Sequence, residues 1–202
     1  MDRVRASTRI LLAVVAVAAS VAWTGCNAPQ GGAGACPCES AELPPPVGTT
    51  LMAYLSKARA VHHEADLLEQ DQRWADAAAR LESLIATPAP GGGTLPEVQE
   101  VLAETFARVA EMRGRLGQFD EADKAVQQGL RRAPAGSYFE GHLFEVRGVN
   151  EQRRAERLAE QGDASGARTA REAAMKAFER AVEIQDHVVD RALAGDGGAE
   201  TR

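Results

Sequence analysis

A spacing of 45 residues constrains the fold of this chain more than any other feature of its sequence. Near the middle the chain reads Gly-Gln-Phe-Asp-Glu-Ala, where a glycine precedes an aromatic residue and then a small residue. Related triples with the same internal spacing lie 45 positions to either side, so the three sets are Gln72, Trp74 and Ala77; Gly117, Phe119 and Ala122; and Gly162, Ala164 and Ala167. A period of this size is typical of stacked supersecondary units rather than of one wrapped core.

The chain after Pro46 has the composition and periodicity of helices. Ala, Leu, Glu and Arg dominate, few residues are β-branched or aromatic, and apolar residues recur three and four positions apart. We expect Thr49 or Thr50 to cap the first helix, and Thr94 to cap the third in a capping box with Glu97. The predicted helices cover about residues 51–71, 74–86, 94–116, 120–132, 137–161 and 167–193. The fold class is therefore all-α, with three antiparallel hairpins.

The second hairpin resembles a known repeat family. The residues that carry the resemblance lie at its turn and along its second helix, with two more upstream: Gly117, Phe119, Ala122, Val126, Gly129, Pro134, Phe106 and Ala110. They are similar to the tetratricopeptide repeat, a helix hairpin of 34 residues, although Arg113 stands where the family prefers an aromatic residue. The extra eleven residues of the period are close to three helical turns. The resemblance implies a short stacked array over residues 50–194, followed by a disordered tail, 195–202.

Residues 1–25 have the pattern of a secretory signal peptide. A basic start is followed by an apolar run, residues 10–21, that is too short to span a bilayer as a helix. The segment 22–26, Ala-Trp-Thr-Gly-Cys, resembles the lipobox of bacterial lipoproteins, although Trp23 stands where that family usually has an aliphatic residue. The resemblance implies lipidation of Cys26 and a membrane anchor. The alternative is an ordinary signal peptide that is cut elsewhere.

Residues 26–49 are rich in Gly and Pro and read as a flexible tether between the lipidated cysteine and the helices. Asn27, at a place where some bacteria read an aspartate as a retention signal, favours the outer over the inner membrane of the envelope, with the chain facing the periplasm. Cys36 and Cys38 lie within the tether. They could be inert or disulfide-bonded, could bridge to another chain, or could serve redox or metal chemistry.

Charge and motifs narrow the function classes. The chain has a net charge of −6, and removal of residues 1–25 makes it about −8, which argues against a nucleic-acid partner. The chain contains no phosphate-binding loop and no Gly-x-Ser-x-Gly motif. His62 with Asp66 would give a metal only two ligands, and His142 and His187 have no recognisable partner. We therefore expect no enzymatic activity, no catalytic residues, no cofactor and no metal.

A helical repeat array offers a groove lined by the first helix of each hairpin. The expected groove positions are Arg59, His62, Asp66, Glu104, Ala107, Glu111, Arg115, Gln152, Glu156 and Glu160, with an acidic bias. A partner segment carrying Lys or Arg, or an apolar helix, suits such a surface, and a solvated face without a partner is the alternative. The leading hypothesis is a membrane-anchored adaptor that binds an envelope protein or peptide, for example in a secretion, pilus or outer-membrane assembly. The alternatives are a redox or metal-handling lipoprotein that uses Cys36 and Cys38, and a self-associating helical bundle.

Overall fold

The computed structural model describes residues 48–196, and all regular structure in that range is helical. No strand occurs among these residues, so the all-α prediction is confirmed. The predicted signal peptide, Cys26, the predicted tether up to residue 47 with Cys36 and Cys38, and residues 197–202 lie outside the described part, whereas Thr49, the last residue assigned to the tether, begins the first helix. Six α helices and one short 3-10 turn follow in order: α1 Thr49–Gln70, α2 Trp74–Ile85, η1 Pro90–Gly93, α3 Pro96–Arg115, α4 Phe119–Leu130, α5 Tyr138–Glu160 and α6 Ala164–Asp196.

Each helix packs on the next one along the chain. Antiparallel packing of α1 and α2 follows from the ion pair of Glu64 with Arg80 and from the hydrogen bond between Lys57 Nζ and Thr87 Oγ1, 2.9 Å long. Helices α5 and α6 are also antiparallel. Gly141 lies against Gln185, and Gly148, which comes later in α5, lies against Phe178, which comes earlier in α6.

The first helices of the three pairs run in the same direction. On α1 and α3, His62 meets Thr105 and Asp66 meets Arg108. On α3 and α5, Glu104 meets His142 and Glu111 meets Arg153. In each of these two helix pairs, the contact that comes later along one helix also comes later along the other, so the helices are parallel. Helices α1, α3 and α5 therefore form a parallel row.

The 45-residue period reappears in backbone geometry. Gln72, Gly117 and Gly162 all have a positive φ, of 59°, 74° and 83°. At each turn the amide of this residue donates to the carbonyl three residues back, and the next amide donates five residues back. This is the Schellman pattern, in which a left-handed residue satisfies the last carbonyls of a helix. The three turns are therefore built alike, including the one where glutamine replaces glycine.

The residues five positions after these turns are small and buried. Ala77, Ala122 and Ala167 are each at most 1% exposed, so the two helices of a pair can approach closely at this point. The predicted apolar stripes are also buried, including Ala58, Val61 and Ala65 on α1. The core contains two clusters of such side chains, one spanning α1 to α5 and the other joining the first half of α1 to the end of α2 and the start of α3.

Several predicted helix starts were wrong in detail. Thr49 and Thr50 lie inside α1, which begins after Gly48. Thr94 does not cap α3, because its hydroxyl donates to the carbonyl of Gly91 at 2.8 Å and Leu95 occupies the N-cap position. The side-chain N-cap that sequence reasoning missed is at α5, where Ser137 Oγ accepts from the amide of Glu140 at 3.3 Å.

The last helix is longer than expected at both ends. It begins at Ala164 rather than near residue 167, because the carboxylate of Asp163 accepts from the amide of Gly166 at 2.8 Å and satisfies a free donor of the first turn. It continues to Asp196, two residues beyond the predicted end of the helical domain at 194.

Candidate functional site

The parallel row of α1, α3 and α5 carries all the residues expected in the groove. In the structure these residues lie in two separate clefts, in ion pairs between helices, on the open surface and in the core. Arg59, His62 and Glu104 line one cleft, and Arg115, Glu156 and Glu160 line a second. Asp66 and Glu111 are held in ion pairs between helices. Gln152 is exposed and donates to Glu156 at 3.1 Å. Ala107 is 1% exposed, so its assignment to the groove was wrong: it belongs to the core.

The first cleft has an apolar floor and an acidic rim. It encloses about 340 Å³ and is lined by Leu55, Ala58, Arg59, His62, Glu97, Glu100, Val101, Glu104 and Phe139. Among the described residues, Glu97 and Glu100 have no cation within 4.0 Å, whereas Glu104 lies 3.8 Å from Nε2 of His142. A surface with apolar side chains beneath unpaired carboxylates can hold the long stem of a lysine or arginine and also its charge. We call this site the acidic cleft.

His62 forms part of the wall of the acidic cleft and is uncharged at neutral pH. Burial, with the guanidinium of Arg108 as the next cause, lowers the pKa of His62 to about 4. The hydroxyl of Thr105 donates to the carbonyl of Val101 at 2.6 Å and lies 2.9 Å from Nε2 of His62. A neutral imidazole with its proton on Nε2 satisfies both contacts. His62 therefore adds no positive charge beside the acids of the rim.

Two arginines neutralise acids that the sequence placed in the groove. Arg108 on α3 contacts Asp66 of α1 at 2.6 Å and also contacts Glu69. Arg153 on α5 lies 3.8 Å from Glu111 of α3. Sequence reasoning missed both arginines because it listed only residues at expected groove positions. Their spacing of 45 residues, matched by that of Asp66 and Glu111, was the signal that could have found them.

The second cleft lies at the other end of the row and carries three guanidinium groups. Its lining consists of Trp74, Gly114, Arg115, Phe119, Arg153, Glu156, Arg157 and Glu160. Arg115 stacks over the Trp74 ring at 4.5 Å and donates to Glu111 at 2.9 Å. Burial and the neighbouring Arg115 lower the pKa of Arg153. The lining has three arginines and two acids, and Arg115 and Arg153 also contact Glu111 beside the cleft, so the cleft presents little net charge to a ligand.

The turn aromatics have structural neighbours of their own. Arg154 lies 5.4 Å from the Phe119 ring and contacts Asp123 at 2.9 Å, which ties α5 to the start of α4. Glu151, beside Arg154, has a raised pKa because of burial. Trp74 and Phe119 thus stack with arginines, whereas Ala164 occupies the equivalent place in the third turn.

Sequence reasoning did not place the other six lining residues of the acidic cleft in the groove: Leu55, Ala58, Glu97, Glu100, Val101 and Phe139. Glu97 and Glu100 lie in the first two turns of α3. That region was interpreted only as a helix start, so its charges were not counted as groove charges. Phe139 comes from α5, and only the packing of α5 beside α3 brings it to the cleft.

Within residues 48–196, no three His, Cys, Asp or Glu side chains come together as a group that could hold a metal ion. None of the described helices combines the length and the apolar character needed to cross a bilayer. Comparison of the chain with protein-family models, with curated proteins and with solved structures finds no match.

Proposed function

We propose that this chain is a membrane-anchored, non-enzymatic adaptor, whose short stack of tetratricopeptide-like hairpins binds a basic, partly apolar segment of an envelope protein. The observation that carries the proposal is the acidic cleft, in which Glu97 and Glu100 stand unpaired above apolar side chains between α1, α3 and α5. The cleft lies on the row of first helices, the face that repeat arrays of this kind use for binding.

Three observations support the stacked-hairpin part of the proposal. The turns at Gln72, Gly117 and Gly162 share one hydrogen-bond pattern. Helices α1, α3 and α5 run parallel, as the first helices of stacked hairpins must. Contacts between these helices also repeat at the period, since the contact of Asp66 with Arg108 corresponds to that of Glu111 with Arg153.

The chemistry of the partner follows from the charge that remains after internal pairing. Asp66 and Glu111 are already neutralised by arginines, so they offer little to a ligand. Glu97 and Glu100 have no cation within 4.0 Å among residues 48–196, His62 is neutral, and Arg59 is the one cation of the lining beside three glutamates. A partner with Lys or Arg side chains flanking apolar residues would pair with the rim and cover the floor.

The membrane location is the part of the proposal that rests on the sequence. Lipidation of Cys26 would fix the chain to an envelope membrane, and residues 27–49 would set its reach. Mass spectrometry of the mature chain tests this directly. We expect an acylated N-terminal peptide that begins at Cys26, and release of the Cys26→Ser chain from the membrane fraction.

The groove is tested with a matched pair of charge reversals. The groove variant carries Glu97→Lys and Glu100→Lys. The control variant carries Asp71→Lys and Glu121→Lys, which change the net charge equally at exposed acids outside the cleft. Glu97 and Glu121 both lie in the first turn of a helix, so the loss of favourable dipole interaction is matched at these two positions.

The first readout is the affinity for a labelled synthetic amphipathic helix of Lys and Leu, measured by fluorescence anisotropy. We expect the groove variant to bind at least about tenfold more weakly than the control, equivalent to about 1.4 kcal/mol. Equal weakening in both variants would mean that the peptide responds only to net charge, and it would contradict the proposal.

The second readout is capture in intact cells. A photo-crosslinking amino acid at Arg59, on the wall of the acidic cleft, should join the chain to a discrete envelope protein. We expect this product to be lost in the groove variant and retained in the control variant. A product that is unchanged in both variants would exclude the cleft as the binding site.

A further inference from the structure

Helix α6 presents an apolar stripe on the side that no other described helix covers. Met175, Val182 and Val189 follow one another at intervals of seven residues, and Leu193 comes four residues later. Their exposed fractions are 59%, 59%, 54% and 67%. In the described part of the chain, seven large apolar side chains are this exposed, and four of them are in this stripe. Such a concentration on one helix indicates a contact surface.

The packing of α6 leaves this stripe open. Within residues 48–196, α6 packs on α5 alone, whereas α2 contacts both α1 and α3, and α4 contacts both α3 and α5. The face of α6 that packs on α5 carries small and branched residues three and four apart: Ala167, Ala170, Ala174, Ala177, Ala181 and Ile184. Met175 and Val182 of the stripe directly follow the buried Ala174 and Ala181, so the stripe is rotated about 100° around the helix from the face that packs on α5.

Charges on the open face differ between its two ends. At 100° per residue, Arg168 and Asp186 lie within about 20° of Met175, and Arg171 lies within about 40°. Glu179 lies about 40° away, and Glu172 and Asp190 lie about 60° away, on the same broad face. The start of the face therefore carries two arginines and one acid, whereas its middle and end carry acids alone.

This distribution is complementary to itself when the helix is reversed. A two-fold axis between Phe178 and Glu179 would place Met175 opposite Val182 of a second copy. The same axis places Arg171 opposite Asp186 in two equivalent pairs and Glu172 opposite Gln185, while the two copies of Glu179 face solvent beside the axis as the one like-charge contact. Parallel pairing would instead set arginine against arginine and aspartate against aspartate, which is unfavourable.

We propose that the outer face of α6 is a two-fold interface with a second copy of this chain, in which the two α6 helices pack antiparallel. With this axis the apolar contact is centred on Met175 and Val182 of both copies, and Val189 faces the aliphatic stem of Arg168. The interface is separate from the acidic cleft, which is built by α1, α3 and α5. A dimer would carry two clefts and bind a repeated partner by avidity.

A charge swap tests this interface. Arg171→Glu alone and Asp186→Arg alone should each weaken the dimer, because each variant opposes like charges twice across the two-fold axis. The double variant restores opposite charges with the positions exchanged, so it should recover the affinity. Lys176→Glu, about 100° from the stripe, is the control for a charge change on the same helix.

The measurement is sedimentation velocity of the full chain in detergent over a range of concentrations, with helicity checked by circular dichroism. We expect dimer dissociation constants at least about tenfold higher in the single variants, near the native value in the double variant, and unchanged for Lys176→Glu. A native chain that stays monomeric throughout, or a double variant as weak as the singles, would overturn the proposal.

A photo-crosslinking variant distinguishes self-association from a membrane contact. A photo-crosslinking amino acid at Val182 should give a product of twice the chain mass in cells. If the chain with the photo-crosslinker at Val182 instead crosslinks only to lipid, in vesicles of phosphatidylglycerol and phosphatidylethanolamine, and gives no doubled product, the stripe contacts lipid and the dimer is excluded.

Discussion

Arg108 and Arg153 stand 45 residues apart and form the same kind of contact: each reaches from its own helix to an acid on the preceding helix of the parallel row. The acids, Asp66 and Glu111, are also 45 residues apart. The period that first appears at the helix turns therefore continues into the interfaces between hairpins. The two contacts differ in strength, because Arg108 also contacts Glu69 and the carbonyl of His62.

This difference predicts unequal costs for removing the two arginines. Arg108→Gln leaves two acids close together without their shared cation, and we expect it to lower the free energy of unfolding by about 1–3 kcal/mol. Arg153→Gln breaks one longer ion pair and should cost no more than about 1 kcal/mol. Urea denaturation of both variants measures the difference. An equal loss would show that the contacts of Arg108 with Glu69 and His62 contribute nothing.

The three left-handed turn residues predict a second set of stability changes. Gln72 lacks the conformational freedom of glycine at a φ of 59°, so Gln72→Gly should stabilise the chain by about 1 kcal/mol. Gly162→Ala meets no neighbour within 4 Å, so it should show the backbone cost alone, of about 1 kcal/mol. Gly117→Ala adds a close approach to the guanidinium of Arg157 and should cost at least as much. Thermal unfolding of the three variants gives the order. A destabilising Gln72→Gly would contradict the role given to the turn.

The buried histidine predicts a pH dependence. The pKa of His62 is about 4 in the folded chain and about 6.5 in the unfolded chain, so the unfolded state binds an extra proton between these values. Stability should therefore fall as the pH is lowered from about 6.5 to 4, by at most about 1.4 kcal/mol per pH unit from this group. Above pH 7 the group contributes no slope.

The matched variant for this prediction is His62→Gln, which can still hydrogen-bond Thr105 but does not titrate. Carboxylates in general titrate below about pH 5, so the informative quantity is the native slope minus the variant slope, from urea unfolding at each pH. The prediction fails if the two chains lose stability in parallel between pH 6.5 and 5.

The close contact between α5 and α6 predicts an overpacking effect. A methyl group at Gly148 would lie 2.6 Å from Cε1 of Phe178, so Gly148→Ala should destabilise the chain by about 1–3 kcal/mol. Combining it with Phe178→Leu should recover part of this loss, because the smaller side chain leaves room for the methyl group. Gly195→Ala, with no neighbour within 4 Å, is the control and should be close to neutral. A purely additive double variant would show that the ring is not the obstacle.

The helices, the turns and most of the core were predictable because they depend on local information. Helix propensity, apolar spacing and glycine at a helix end act within a few residues, and the 45-residue spacing located all three turns. The caps were less predictable. Thr94 and Ser137 both have the right chemistry, and only the path of the preceding loop decides which of them accepts a backbone amide.

What the sequence by itself determined is the all-α class, the approximate helix bounds and the identity of the face that the first helices share. What only the tertiary structure decided is which charges on that face remain available. Asp66 and Glu97 are both acids on first helices, yet Asp66 meets Arg108 and Glu97 meets no cation among the described residues. The physical reason is that an ion pair between helices depends on their rotation and separation, which are set by the packing of whole helices and not by the residues around each charge.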